Sequence, residues 1–414
     1  MPSITRRTLL GTLATGAVVG VAGCSSSCPD SDAPEPSTVI GTGDADRAFE
    51  TLPDGPWPSP RFDAGNTGHP PSRTPPTDPS LRWRTTLSAP RVDGVTANAS
   101  SPTVADEMVY LATGAGVFAL ALRDGAERWR ATDLTPAVGP TVGDGAELAA
   151  PVVGDGVVYL ATDAGAVALH ADDGTPAWRN TDATATGVPT VDGDTVLVPT
   201  TDGLVGLDAN DGRRRWTADV DATLPAVAGE TVVVAGEETL ALDAATGDRR
   251  WSAPVRPEFY PVVADETVYL GTYEGLVALA LDDGSERWQV DRGSGRTFSA
   301  PVVTPETLYA VERPGEAPDA TFAFDRDGDA PPEPQWCSYV GEGAVTAAAG
   351  GHAFALQSGP SDEGSPPRLV AFTERFGEAA WGYATAERPL SPALLDGGVV
   401  SVTDRGTVVA VGGA

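Results

Sequence analysis

The chain has 414 residues, and its 58 Asp and Glu against 27 Arg and no Lys give a formal net charge of −31. Nucleic-acid binding depends on neutralising phosphates with Lys and Arg, so this charge argues against nucleic acid as a partner. A surface dense in carboxylates and without Lys predicts a halophilic protein that stays hydrated and soluble in high salt. At 1 M salt the Debye length shrinks to about 3 Å, so the repulsion between these charges is screened. The 48 Gly and 37 Pro favour an all-β chain with many tight turns.

Residues 1–23 have the features of an export signal. Arg6 and Arg7 stand ahead of an apolar run, residues 8–23, that is too short to cross a bilayer core of about 30 Å. The arginine pair resembles a twin-arginine signal, which exports folded proteins. The run ends in Val-Ala-Gly-Cys, which resembles a lipobox and implies a lipid on Cys24. We therefore expect a lipoprotein anchored to the outer side of the cell membrane; the alternative is an unprocessed apolar anchor.

Residues 24–56 are rich in Ser, Pro and acidic side chains. Such a composition buries too little apolar area to offset chain entropy, so it predicts a disordered tether between membrane and folded body. A single acyl chain binds membranes only marginally, so stable anchoring requires a two-chain lipid or another contact. Cys28 could form a disulfide with Cys337 and pin the tether to the sixth repeat, which export permits. Alternatively, Cys337 is a small buried side chain.

Residues 57–414 contain a repeat that ends in tryptophan. The spacing ranges from 35 residues (216 to 251) to 49 (129 to 178), and the clearest copy, residues 151–179, has four short apolar runs separated by Gly-containing turns. A period of this length with four strands per unit is typical of propeller blades. The tryptophans are Trp83, Trp129, Trp178, Trp216, Trp251, Trp288, Trp336 and Trp381.

A fixed pattern, Gly-x-x-x-Trp, occurs in six of these units. The Gly suits a turn that needs φ > 0, and the following ring predicts one repeated packing site. The fullest copy, from Ala241 through Asp243, Thr246 and Gly247 to Trp251, resembles the tryptophan-docking motif of the PQQ-like β-propeller repeats. This fold is shared by quinoprotein dehydrogenases and BamB-like assembly factors. The resemblance covers residues 57–414 and implies that all eight tryptophans pack between neighbouring blades.

The two ends of the repeat array complement each other. The last unit stops after its third strand, near residue 410, and lacks a tryptophan. Residues 81–85, around Trp83, read as a fourth strand without the first three. Pairing the two would remove the exposed edges of an open array. The sequence therefore predicts an eight-bladed propeller of four-stranded antiparallel blades, closed by an N-terminal strand around Trp83.

Few residues in the sequence point to chemistry. Residues 325–329 resemble part of a calcium loop but suit a turn better. Four insertions form long loops, which are either binding sites or places where sequence changes are tolerated. They are residues 135–147, 312–319, 330–334 and 358–367. The histidines, His69, His170 and His352, lack metal-ligand spacing.

The quinoprotein branch of the resemblance implies PQQ and calcium in the axial channel and a pair of adjacent cysteines. No two of Cys24, Cys28 and Cys337 are adjacent. We therefore predict no catalytic, cofactor-binding or metal-binding residues and no cofactor. The expected function is a non-catalytic, membrane-anchored extracytoplasmic scaffold for an unidentified protein partner. The alternative is a PQQ- and calcium-dependent dehydrogenase or another small-ligand propeller.

Overall fold

The computed structural model describes residues 39–40, 48–93, 95–139, 146–315, 319–326, 331–339, 342–358, 366–375 and 377–413. Within these ranges the chain forms strands and turns and no helix, arranged as eight antiparallel blades. This confirms the predicted eight-bladed β-propeller. The turn inside each blade is favoured locally: Asp155 and Gly156, for example, have φ of 48° and 74°, which suits a two-residue hairpin.

The strands follow the repeat closely. Two strands precede the first blade: β1 (Val39–Ile40) and β2 (Pro79–Thr86). Blade 1 consists of β3 (Thr103–Ala105), β4 (Met108–Thr113), β5 (Gly116–Ala121) and β6 (Glu127–Ala131). A hairpin of β7 (Val138–Gly139) and β8 (Glu147–Leu148) precedes blade 2, which consists of β9 (Val152–Gly154), β10 (Val157–Thr162), β11 (Gly165–His170) and β12 (Pro176–Asn180).

The middle blades have the same order. Blade 3 consists of β13 (Thr190–Asp192), β14 (Thr195–Thr200), β15 (Gly203–Asp208) and β16 (Arg214–Ala218). Blade 4 consists of β17 (Ala226–Ala228), β18 (Thr231–Ala235), β19 (Thr239–Asp243) and β20 (Arg249–Ala253). Blade 5 consists of β21 (Val262–Ala264), β22 (Thr267–Gly271), β23 (Gly275–Ala280) and β24 (Glu286–Asp291).

The last three blades depart slightly from this order. Blade 6 consists of β25 (Thr297–Phe298), β26 (Val302–Val303), β27 (Thr307–Arg313), β28 (Ala320–Asp325) and β29 (Pro334–Tyr339). Blade 7 consists of β30 (Glu342–Ala349), β31 (His352–Ser358), β32 (Arg368–Thr373) and β33 (Ala379–Ala384). Blade 8 contains β34 (Ala393–Leu395), β35 (Gly398–Val402) and β36 (Thr407–Gly413).

Blade 8 is completed by the N-terminal strand. Strand β2 pairs antiparallel with β36, with Trp83 opposite Ala410. The closing strand therefore comes from the other end of the chain, as predicted. The pairing leaves no open break in the ring, since β36 would otherwise be an unpaired sheet edge.

Packing between blades forms the core. From blade 1 to blade 8, the inner strand of each blade (β26 in blade 6, the first strand in the others) contacts the inner strand of the next blade, so these strands line the axis. Between blades 1 and 2, the side chains of Val117, Trp129, Leu160 and Leu169 form one buried cluster. Fully burying a side chain of this size contributes about 1.5–3 kcal/mol. Each interface repeats this arrangement, which explains why apolar pairs recur along the sequence.

Part of the segment predicted as a tether lies on the propeller. Strand β1 pairs in parallel with β33 on the outer edge of blade 7. Phe49 is buried, and its N–H donates to the carbonyl of Arg123 at 2.9 Å. Asp54 forms a β-bridge with Asp396 of blade 8. Residues 39–40 and 48–56 thus contact three neighbouring blades, through backbone hydrogen bonds and the buried side chain of Phe49. The folded body therefore begins before residue 57.

Candidate functional site

Six of the eight docking tryptophans donate their indole N–H to the blade that follows their own. The indole N–H of Trp129 in blade 1, for example, donates to the carbonyl of Ala171 in blade 2 at 2.8 Å. These N–H groups are buried or half-buried, so the hydrogen bond avoids the cost of an unpaired polar group. The same bond joins Trp83 to Leu122, Trp178 to Ala209, Trp216 to Ala244, Trp251 to Leu281 and Trp336 to Glu374, at 2.7 to 3.0 Å.

The repeated spacing Gly-x-x-x-Trp joins two different interfaces. Gly174 lies on the ring of Trp129 from the preceding blade, and a Cβ at this position would lie 2.5 Å from Cε3 of that ring. Gly174 also has φ of 71°, so the turn needs glycine for two reasons. The glycine of each pattern therefore receives the previous tryptophan, while the tryptophan four residues later docks on the next blade.

Trp381 shows how the ring closes without a docking turn. In blade 8, strands β36 and β2 come from opposite ends of the chain, so no turn connects them. The indole N–H of Trp381 instead donates to the carbonyl of Pro76 at 3.0 Å. A residue close to β2 thus takes the place of the missing turn.

The axis of the ring is occupied by residues 54–76, which we call the axial segment. This segment makes backbone hydrogen bonds of 2.6 to 3.0 Å with seven blades, in order around the ring. The inner strands are sheet edges, and these bonds supply partners for their backbone groups. The pairs are Trp57 with Val104, Pro58 with Val153, Ala64 with Val227, Gly65 with Val263, Thr67 with Val303, Gly68 with Ala348 and Thr74 with Gly397.

Two polar side chains of the axial segment are buried at its centre. The guanidinium of Arg61 is inaccessible to solvent and donates to the carbonyls of Thr346 and Pro301, each at 2.7 Å. The amide of Asn66 donates to the carbonyls of Pro225 and Pro261 at 3.3 and 3.1 Å. These two side chains connect blades 4, 5, 6 and 7 across the axis. These hydrogen bonds offset the cost of removing the two polar groups from water and connect the axial segment to the ring.

A buried carboxyl and a buried phenol lie near the axial segment. Glu147, the first residue of β8, accepts a hydrogen bond from the Ser101 hydroxyl at 3.3 Å. Burial raises the pKa of Glu147 to about 7, against the opposing effect of Arg388. Burial also raises the pKa of Tyr260, whose ring lies 5.5 Å from the Arg61 guanidinium carbon.

These residues do not fit a quinone with calcium. The axial segment crosses the ring at the place where the resemblance implies that the quinone would bind. Glu147 is buried with a raised pKa, whereas calcium prefers several ionised oxygen ligands. Among the described residues, no group of three or more His, Cys, Asp or Glu side chains converges to hold a metal. The sequence also lacks the implied pair of adjacent cysteines.

Several of the residues singled out in the sequence lie apart from the axis. His170 ends β11 and His352 begins β31, whereas His69 contacts the carbonyl of Ala348 at 2.8 Å from within the axial segment. Arg326, in the predicted calcium-like turn, pairs with Asp265 at 2.6 Å; residues 327–330 lie outside the described part of the chain. The export and lipid residues Arg6, Arg7 and Cys24 lie outside it as well.

Cys337 is disulfide-bonded, so it is not the isolated buried thiol that was the alternative. Cys28, its predicted partner, lies outside the described residues. In the described part of the chain, no helix is long and apolar enough to cross a membrane.

Sequence reasoning missed the axial segment. Residues 54–76 are outside the repeat, and they contact residues far away in the sequence, 285 positions away for Arg61 and Thr346 and 321 for Arg73 and Leu394. One signal was available: the chain has nine tryptophans, and the first of them, Trp57, has no place in the repeat. It is buried and bridges to Val104 of blade 1.

The eight blades, their docking tryptophans and the ring closure define a β-propeller of tryptophan-docking repeats. The family model described as outer membrane protein assembly factor BamB matches residues 76–181, 113–259 and 163–411, so the chain belongs to this family. None of the curated proteins compared with the chain matches it.

Solved structures share the fold. BamB from Moraxella catarrhalis is 18% identical with a TM-score of 0.58, covering 80% of this chain and 97% of its own. Quinohemoprotein alcohol dehydrogenase from Comamonas testosteroni is 15% identical with a TM-score of 0.66, covering 86% and 80%. A quinohemoprotein alcohol dehydrogenase from Pseudomonas putida HK5 is 13% identical with a TM-score of 0.62, also covering 86% and 80%. At these identities the likeness concerns the fold alone, and it includes both assembly factors and enzymes.

Proposed function

We propose that the protein is a non-catalytic scaffold, tethered to the outer side of the cell membrane by a lipid on Cys24, whose propeller binds another protein. The observation that carries this proposal is the axial segment. Its backbone bonds to seven blades and its buried Arg61 take up the place in which the enzymes of this fold class would be expected to bind their quinone. A propeller built this way offers its loops and blade edges for binding.

Family membership supports a role in assembling or organising other proteins. The propeller's partner is then a protein at the cell surface, and the excess of carboxylates favours one with a basic contact surface. In molar salt, steering by charge is screened, so the contact would depend on close packing.

The non-catalytic role is tested with the full-length protein in molar salt. After incubation with PQQ and calcium followed by desalting, we expect no quinone absorbance and no dye reduction with alcohols or sugars. A stoichiometric bound quinone would overturn the proposal in favour of a dehydrogenase. A pull-down from native membranes, crosslinked in molar salt, identifies the protein partner.

The anchor is tested separately by cell fractionation. Cys24→Ser removes the thiol that would carry the lipid, so we expect this variant to be released into the medium. Cys28→Ser is the matched control and should stay with the membrane. Retention of the Cys24→Ser variant in the membrane fraction would count against a lipid at this position.

A further inference from the structure

The disulfide of Cys337 attaches the predicted tether to the outside of the ring. Cys337 lies in β29, the outermost strand of blade 6, and is half-buried. The chain has three cysteines in total, so within one molecule the partner is Cys24 or Cys28. Either choice fastens the beginning of the tether to this strand.

Cys337 also lines a groove between blades 5 and 6, with a cavity volume of about 500 Å³. Its walls combine aromatic rings and prolines, including Phe322, Trp336 and Pro332. Trp336 is half-buried, whereas the other seven docking tryptophans are at most 9% exposed. The groove therefore exposes part of a ring that the other interfaces cover.

The position of β1 shows where the tether goes next. Val39 and Ile40 pair with β33, the outermost strand of blade 7, which is the neighbour of blade 6. From residue 28 to residue 39 the chain has eleven steps, which span at most about 36 to 40 Å when extended. A disulfide at Cys28 would therefore join the wall of the groove to the outer edge of the next blade through this length of chain.

The composition of this stretch suits the groove. Residues 28–38 include Pro29, Pro34 and Pro36 and no apolar side chain larger than proline. Proline-rich segments adopt an extended polyproline conformation at low entropic cost and bind grooves lined by aromatic side chains. The disulfide raises the effective concentration of the segment at the groove, so even weak contacts would hold it there.

We propose that residues 28–38 dock along the groove between blades 5 and 6, fastened by a disulfide between Cys28 and Cys337. The choice of Cys28 rests on the proposed lipid at Cys24, which would consume that thiol. The bond forms by exchange with a disulfide-bonded donor protein: the two thiols lose two protons and two electrons, and the donor becomes a dithiol. Attachment at the rim of the ring leaves both faces of the propeller open to a partner.

Peptide mapping without reductant tests the pairing. The full-length protein is extracted from membranes in molar salt with an alkylating agent, and the peptide linked to Cys337 is identified by mass spectrometry. A link to Cys28 supports the proposal, whether Cys24 carries a lipid or is alkylated; in the second case only the anchor fails. A link to Cys24 or an alkylated Cys337 overturns the proposal.

Amide hydrogen exchange tests the docking. In the oxidised protein we expect residues 30–38 to exchange at least about tenfold more slowly than the same peptide free in solution. Cys28→Ser should lose most of this protection, and Cys24→Ser, which keeps the disulfide, should retain it. Exchange at the free-peptide rate in the oxidised protein would contradict docking even if the disulfide is present.

Discussion

The indole N–H of Trp83 donates a hydrogen bond of 2.8 Å to the carbonyl of Leu122, and this contact joins blade 8 to blade 1. Trp83 belongs to the only described strand of blade 8 that comes from the N-terminal side of the chain. The ring therefore closes through the same contact that joins its other blades, and the closing strand is held from both sides.

Trp83→Phe should destabilise the protein by about 1–3 kcal/mol beyond its loss of packing, because it leaves the buried carbonyl of Leu122 without this donor. The control is Trp57→Phe. The indole N–H of Trp57 is also buried, but it has no acceptor among the described residues. Chemical unfolding in molar salt measures both variants, and equal losses of stability would show that the hydrogen bond of Trp83 contributes nothing.

Gly174→Ala should cost about 2–5 kcal/mol. The positive φ accounts for about 1–2 kcal/mol, and the contact of the new Cβ with the ring of Trp129 accounts for about 1–3 kcal/mol more. Gly156→Ala is the matched control, since its φ of 74° is similar but nothing lies within 4 Å of the added Cβ. Thermal unfolding of the two variants separates strain from packing; a Gly174 variant no less stable than the control would refute the docking contact.

The eight blades could be predicted from the sequence because the same packing contact occurs at successive interfaces between blades. In six units a glycine with positive φ receives one tryptophan, and the tryptophan four residues later packs on the next blade, so both residues recur at a fixed offset. The closing strand was predictable for the same reason, since Trp83 is a copy of the motif whose first three strands are missing. What the motif did not reveal was that Gly174 contacts Trp129 rather than Trp178.

Arg61→Met should destabilise the protein by about 2–5 kcal/mol, because it leaves the carbonyls of Thr346 and Pro301 buried without these donors. Arg213→Met is the control: its side chain is 87% exposed and pairs with Asp211 at the surface. Such a pair contributes at most about 1 kcal/mol. Chemical unfolding compares the two, and similar small effects would mean that the axial segment adds little to stability.

Glu147 should make stability depend on pH. Its folded pKa of about 7 lies above the ordinary value of 4.5, so the unfolded chain loses this proton first. Stability is therefore full below pH 4.5 and falls by roughly 3 kcal/mol as pH rises through 7. Glu147→Gln should remove this component, and Glu286→Gln, at an exposed position, should not. Identical pH profiles of the wild type and Glu147→Gln would contradict the burial of this carboxyl.

The axial segment and the partner could not be predicted for a common reason. Residues 54–76 are held by single contacts to many blades, such as Gly65 to Val263, and no local pattern records such contacts. The tryptophan motif explains packing between blades and carries no chemistry, so it identifies the fold without identifying what the propeller binds.

Amide hydrogen exchange of residues 57–76 tests the central claim most directly, because the account depends on this segment filling the axis. We predict protection of Trp57, Asn66 and Gly68 that matches the inner strands, for example Val227 and Val263, and is lost only on global unfolding. Rapid exchange across these residues, at the rate of exposed loops, would show that the axis is open and would contradict the proposed scaffold.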